Sequence, residues 1–139
     1  MRKPNFNDGD VYVKLRIAHD ELDPIRITEL MSHQPSKFFR KGDPNPSYKK
    51  HVPYGFGAWY LESKGSVNSK ELNPHILWLL DKLEGRRSIL RGLRAQEYRV
   101  DISVFWKAEL FNTVLGLSVE AIEKLATFDI GLLYFDVYF

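Results

Sequence analysis

From Val11 to Ile17 apolar and polar side chains alternate strictly. Val11, Val13, Leu15 and Ile17 share one face, and Tyr12, Lys14 and Arg16 share the other. A period of two predicts a half-buried strand. Asp23-Pro24 then supplies an N-cap and a proline at the first helical position, where no amide is needed. Ile25, Ile27, Leu30 and Met31 give that helix an apolar stripe to about Ser32. Between residues 33 and 55 no period survives. Pro35, Gly42, Pro44, Pro46, Pro53 and Gly55 mark a long loop, with room for a short strand around Lys37 to Arg40. Alternation returns from Phe56 to Ser63, where Phe56, Ala58 and Tyr60 oppose Trp59 and Leu61.

Asn68 and Glu71 fit a capping box, but Pro74 would break a ladder bond in a helix begun at Asn68. The expectation is a short first turn and a main helix from Pro74, with Ile76, Leu79, Leu80 and Leu83 buried and Gly85 as its stop. A further helix runs from Arg86 to Gln96, with Ile89, Leu90 and Leu93 inward and arginines outward. Tyr98 to Trp106 is a strand with Val100, Ile102, Val104 and Trp106 on one face and Arg99, Asp101, Ser103 and Phe105 on the other. Lys107 to Gly116 is loop. Ser118 caps a helix whose first turns carry Glu120 and Glu123, where the helix dipole favours anions. Ile130 to Phe139 is the closing strand, with Leu133, Phe135, Val137 and Phe139 alternating with Leu132, Tyr134, Asp136 and Tyr138.

The segments Leu22–Leu30 and Leu117–Leu125 share a pattern, and each follows an alternating strand. Two strand–helix–strand units around a helical hairpin predict an α+β fold: one sheet of about four to five mainly antiparallel strands, with helices on one face. The expected architecture is a ferredoxin-like sandwich elaborated in the middle. Residues 1–139 form one domain, with residues 1–8 loosely held and a long basic loop at 33–55.

Composition narrows the chemistry. The 139 residues include no cysteine, so disulfides, thiolate zinc sites and cysteine nucleophiles are excluded. With 44% hydrophobic and 27% charged residues the chain suits a packed core rather than disorder. No apolar stretch reaches the roughly 18 residues of a membrane span, and the polar start lacks the core of a secretory signal. A cytoplasmic protein without membrane contact is expected. The net charge of +2 conceals segregation. Lys37, Arg40, Lys41, Lys49 and Lys50 face only Asp43 in the segment 36–51, five arginines line 84–99, and the segment 117–139 is acidic.

Reactive constellations are sparse. His19, His33, His51 and His75 form no HxH or HExxH pair, so no metal site and no cofactor are expected. Asp20, Glu21 and Asp23 read as a helix cap and a solvated strand end. Gly55 and Gly57 lack the third glycine and the following helix of a phosphate cradle. No Gly-x-Ser-x-Gly elbow occurs, and no catalytic residue is assigned. The polar sheet face offers Arg16, Asp101, Asp136 and Tyr138 as binding residues. Lys14 or Arg16 against Asp101 or Asp136 would make a cross-strand charge ladder. The basic loop adds Arg40 and Lys41, with Phe38, Phe39, Tyr48 and His51 beside them. Trp59 next to this loop is a ligand platform or, by burial statistics, core.

The run KLRIAHDELDP, ITELM, QPSKFFRKGD, GFGAWYLES, LWLLDKLE, YRVDISVFW and LYFDVYF resembles the bacterial family of domain of unknown function 4279, from about Asp10 to Phe139. The resemblance implies a small intracellular bacterial protein and brings no catalytic residues. Charge segregation and aromatic surfaces then favour a non-enzymatic protein-binding or regulatory domain. An immunity-type inhibitor of a toxin is its analogue among proteins of this size. One alternative is a nucleic-acid-binding module using the loop 36–51 and the arginine-lined helix 86–96. The other is an enzyme with Asp101, Asp136 and Tyr138 as acid–base groups. The partner expected is another protein, and an unpaired edge strand leaves monomer and homodimer both open.

Overall fold

The structure is a computed structural model that describes residues 10–47, 52–108, 115–128 and 130–138. The N-terminal stretch 1–8, the loop residues Tyr48, Lys49, Lys50 and His51, and Phe139 lie outside the described residues, as does most of the loop after Lys107. The elements are β1 (Val11–His19), α1 (Pro24–Met31), β2 (Lys37–Phe39), β3 (Gly57–Glu62), α2 (Leu72–Lys82), α3 (Arg87–Ala95), β4 (Arg99–Lys107), α4 (Val119–Thr127) and β5 (Leu132–Tyr138).

The strands form one mixed sheet in the order β2-β3-β1-β4-β5. The pairs β2/β3, β3/β1 and β1/β4 are antiparallel, and β4/β5 is parallel. The first four strands reproduce the ferredoxin-like split arrangement: β1-α1-β2 encloses β3, and β3 reaches β4 past β1. The second strand–helix–strand unit, β4-α4-β5, instead joins neighbouring parallel strands. The α+β reading with helices on one face therefore holds.

Local chemistry explains most boundaries. The Asp23 carboxylate accepts from the Ile25 amide, and Pro24 opens α1. Ser118 Oγ accepts from the Ala121 amide and opens α4. The helix expected from Pro74 starts earlier, at Leu72, with Glu71 as an N-cap that makes no side-chain bond. Pro74 is the third helical residue, and the first amides of a helix have no intrahelical acceptor, so the ring costs no ladder bond. Gly85, at φ +79°, terminates the α2 turn in the left-handed region that glycine tolerates.

The alternating patterns divide the sheet cleanly. Val13, Leu15, Ile17, Trp59, Val100, Ile102 and Val104 face the helices and join Ile27, Met31, Leu72, Ile76, Leu79, Leu83, Leu90 and Leu93 in one buried cluster. Trp59 is fully buried and its indole N–H donates to Thr28 Oγ1 at 3.0 Å, tying β3 to α1. Gly57 sits under the turn after β1. A Cβ there would stand 3.0 Å from Leu22 Cβ and 3.2 Å from the carbonyl oxygens of His19 and Leu22, so the close approach needs glycine.

Candidate functional site

The other face of the sheet carries no helix among the described residues. Its small apolar cluster is Ala18, Phe39 and Ala58 with Tyr54 and Tyr60, all from strands and the β2–β3 connection. Strand register sets the remaining residues in rows. Arg16 lies between Tyr60 and Asp101, and Lys37 extends that row across β2. Lys14 lies between Glu62 and Ser103, with Tyr134 beyond. Tyr12 opposes Phe105, and Asp136 follows on β5.

Long side chains lie flat along these rows and cover the sheet. Tyr12 stacks on Phe105 at 4.8 Å between centroids. The Lys14 ammonium sits 4.4 Å from the Tyr60 ring centre and 4.7 Å from that of Phe105. Burial lowers the Lys14 pKa, with Glu62 opposing the shift. Burial also raises the Tyr12 and Tyr60 hydroxyls above the usual phenol range. At the β2 end Phe39 stacks on Tyr54 at 3.5 Å, with Lys37 over both rings.

The charge ladder expected across the strands resolves to one pair. Arg16 Nη2 donates to Asp101 Oδ2 at 2.9 Å, and Arg99 approaches the same oxygen at 3.4 Å. The register places Arg16 directly opposite Asp101, whereas Asp136 stands opposite Phe105. Burial disfavours the Arg16 cation, but its bond to the Asp101 carboxylate, with the nearby Tyr134 and Tyr60 hydroxyls, outweighs that and raises its pKa. Arg16 Nε and Ser103 Oγ are buried without a hydrogen-bond partner among the described residues. On β5 the Tyr138 hydroxyl donates to Asp136 Oδ2 at 3.0 Å, and burial followed by that carboxylate raises its pKa.

The structure thus brings Arg16, Asp101, Asp136 and Tyr138 onto one face. Arg40 and Lys41 sit at the turn after β2, where Arg40 pairs with Asp23 at 3.3 Å and Lys41 with Asp20 at 3.8 Å. Trp59 does not join them. It shares strand parity with Leu61, points to the helices and belongs to the core. The arginines of α3 sit on the helix side: Arg87 lies over the Phe128 ring at 4.7 Å.

One polar cluster has no precursor in the sequence pattern. Ser63 Oγ accepts from the Val13 amide at 2.9 Å and lies 2.6 Å from His75 Nδ1, while His75 Nε2 lies 2.8 Å from the Ser69 carbonyl. The Ser69 carbonyl can only accept, so Nε2 carries the proton and Ser63 donates to Nδ1. Burial lowers the His75 pKa, the bond to Ser69 opposing. The pair resembles a nucleophile and its base, but Ser63 is completely buried and already engaged. Its role is to pin β3, β1 and α2 together. Ser63 and His75 are twelve positions apart, a spacing that no local period marks.

Two clefts flank the face. One of about 600 Å³ is lined by His19, Asp20, Glu21, Phe56, Glu97 and Arg99. The other, of about 520 Å³, is lined by Tyr12, Lys64, Asn68, Ser69, Lys70 and His75 among others. Among the described residues no three of His, Asp and Glu gather as metal ligands, and no helix is long and apolar enough to cross a membrane.

The fold and site define a class: a split α+β sheet with one face packed by helices and the other, among the described residues, without a helix and lined by aromatic and cationic side chains. Within that class the chain belongs to the family described as Domain of unknown function (DUF4279), whose model matches residues 10–139. No curated protein and no solved structure matches it.

Proposed function

We propose that this protein is a non-enzymatic binding domain that docks another protein on the open sheet face, with the Arg40–Lys41 turn at one end of the contact. The supporting observation is the face itself, where Tyr12, Lys14, Arg16, Lys37, Tyr60 and Phe105 form contacting rows without a helix above them among the described residues. Aromatic rings and guanidinium groups carry much of the energy at protein interfaces. An immunity-type inhibitor acting on a toxin in the bacterial cytoplasm is one such role.

Two observations weigh against the alternatives. Arg40, Lys41, Arg86 and Arg87 are held by Asp23, Asp20, the Met31 carbonyl and the Phe128 ring, and α3 is on the helix side, so the basic segments form no single phosphate track. Asp101 is occupied by two guanidinium groups, a poor arrangement for proton transfer.

Capture from the native lysate tests the reading, with wild type beside Lys37→Glu/Tyr60→Ala on the open face and Arg91→Glu on the helix side. A protein held by wild type and Arg91→Glu but lost by the open-face variant supports it. Retention by the open-face variant, or capture abolished only by Arg91→Glu, overturns it. Oligonucleotide binding that falls steeply with salt would favour nucleic acid instead.

A further inference from the structure

The two edges of the sheet are built differently. β2 has three residues, and the chain beyond it folds back: Gly42 N–H donates to the Tyr54 carbonyl, Tyr54 N–H donates to the Asp43 carbonyl, and Pro44 bridges Pro53. A short strand that carries a lysine is a common device for blunting an edge. β5 has seven residues and, among the described residues, one neighbour, β4. It contains no lysine, arginine or proline, and Leu132, Phe135 and Val137 are 52%, 50% and 38% exposed. Val119 and Ile122 of the preceding helix are exposed as well.

Hydrogen bonding fixes which groups this edge offers. Ala108 N–H donates to the Tyr138 carbonyl, and Lys107 N–H donates away from β5, to Asp10 on the β1 side. With Lys107 paired to Tyr138, the even residues of β5 turn their amides and carbonyls toward β4. Leu133, Phe135 and Val137 therefore turn theirs to the open edge. Their side chains lie on the helix side of the sheet.

We propose that this edge pairs with a second copy of the chain, antiparallel, about a two-fold axis through Phe135. That register matches Phe135 with the partner's Phe135 and Leu133 with the partner's Val137, forming about six backbone hydrogen bonds from the three outward-facing pairs. It places one apolar row on the helix side. On the other side each Asp136 stands across from the partner's Tyr134. Moving the axis one residue on, to Asp136, would set two carboxylates directly opposite each other, which is destabilising. Charge and hydrogen bonding thus select the same register. The product is a continuous ten-stranded sheet with both open faces on one side. The proposal concerns an edge and stands independently of what the open face binds.

Light scattering on the full chain between about 1 and 100 µM tests it, because a weak edge contact is concentration-dependent. The expected result is a dimer at the upper end, with Phe135→Lys monomeric and its circular dichroism unchanged, and Lys37→Glu at the opposite edge still dimeric. The absence of cysteine makes the register testable. A mixture of Tyr134→Cys and Asp136→Cys proteins, placed at a close non-hydrogen-bonded pair, should oxidise to a mixed covalent dimer faster than either alone. A monomer at 100 µM, a dimer that survives Phe135→Lys, or faster self-coupling of Asp136→Cys would overturn the proposal.

Discussion

The two faces of this sheet are made by the same strands, one residue apart, and they are closed in different ways. Val13, Leu15, Ile17, Ile102 and Val104 are short aliphatics that need a second layer, and four helices supply it. Tyr12, Lys14, Arg16, Tyr60 and Phe105 are long and amphipathic, and they cover the sheet by lying across one another with their polar tips outward. A face without a helix therefore need not be a wet one: Tyr12, Ser103 and Phe105 are buried with no helix among the described residues upon them. The covered face should carry most of the stability, and the open face should be replaceable at low cost outside the ion pairs of Asp101.

The largest test of that difference is Trp59→Ala on the covered face. Removing a fully buried indole and its bond to Thr28 should cost about 3–5 kcal/mol in urea unfolding. Tyr134→Ala on the open face should cost less than about 1 kcal/mol. Equal losses would erase the distinction between a packed and a self-covered face.

Asp101→Ala comes next. It strands a half-buried Arg16 without its main partner, and one-sided removal of such a pair costs about 3 kcal/mol. Arg16→Met/Asp101→Ala should recover much of the loss, since both charges are then gone. A double variant no better than the single would mean that the pair organises the face beyond its own charges.

How much of this was legible depended on whether parity or distance set the outcome. The strands and their faces follow from the period of two, and the caps at Asp23 and Ser118 follow from side-chain chemistry. Parity also decides Trp59: as a neighbour in phase with Leu61 it had to face the helices. The start of α2 was hidden because proline is harmless in a first turn, although it is disruptive later. The partner of Arg16 required the β1/β4 register, which no single strand contains. The Ser63–His75 pin required a loop to bring two unremarkable residues together.

That pin gives a pH test of intermediate size. The folded His75 pKa lies below its ordinary value, so below about pH 6.5 the unfolded chain takes up a proton that the native ring resists. Stability is complete above the unfolded pKa and falls as pH drops toward the folded one, by at most about 1.4 kcal/mol per pH unit. Urea midpoints at pH 7.0, 6.0 and 5.5 should decline in wild type and decline less in His75→Asn. An identical slope in both would assign the acid sensitivity to another group.

The smallest expected effect is at Lys14, and it bears most directly on the open face. Its ammonium gains from two rings, each contact worth about 0.5–1 kcal/mol where exposed. Against this stands desolvation, which the lowered pKa registers as a penalty on the charged form at neutral pH. Methionine keeps the stem that covers Phe105 and removes both terms. Lys14→Met should therefore change stability by no more than about 0.5 kcal/mol, the common range for surface substitutions. If Lys14 belongs to the docking face, Lys14→Met should weaken partner capture while its urea midpoint stays in place. A loss of several kcal/mol would instead make the cation part of the scaffold.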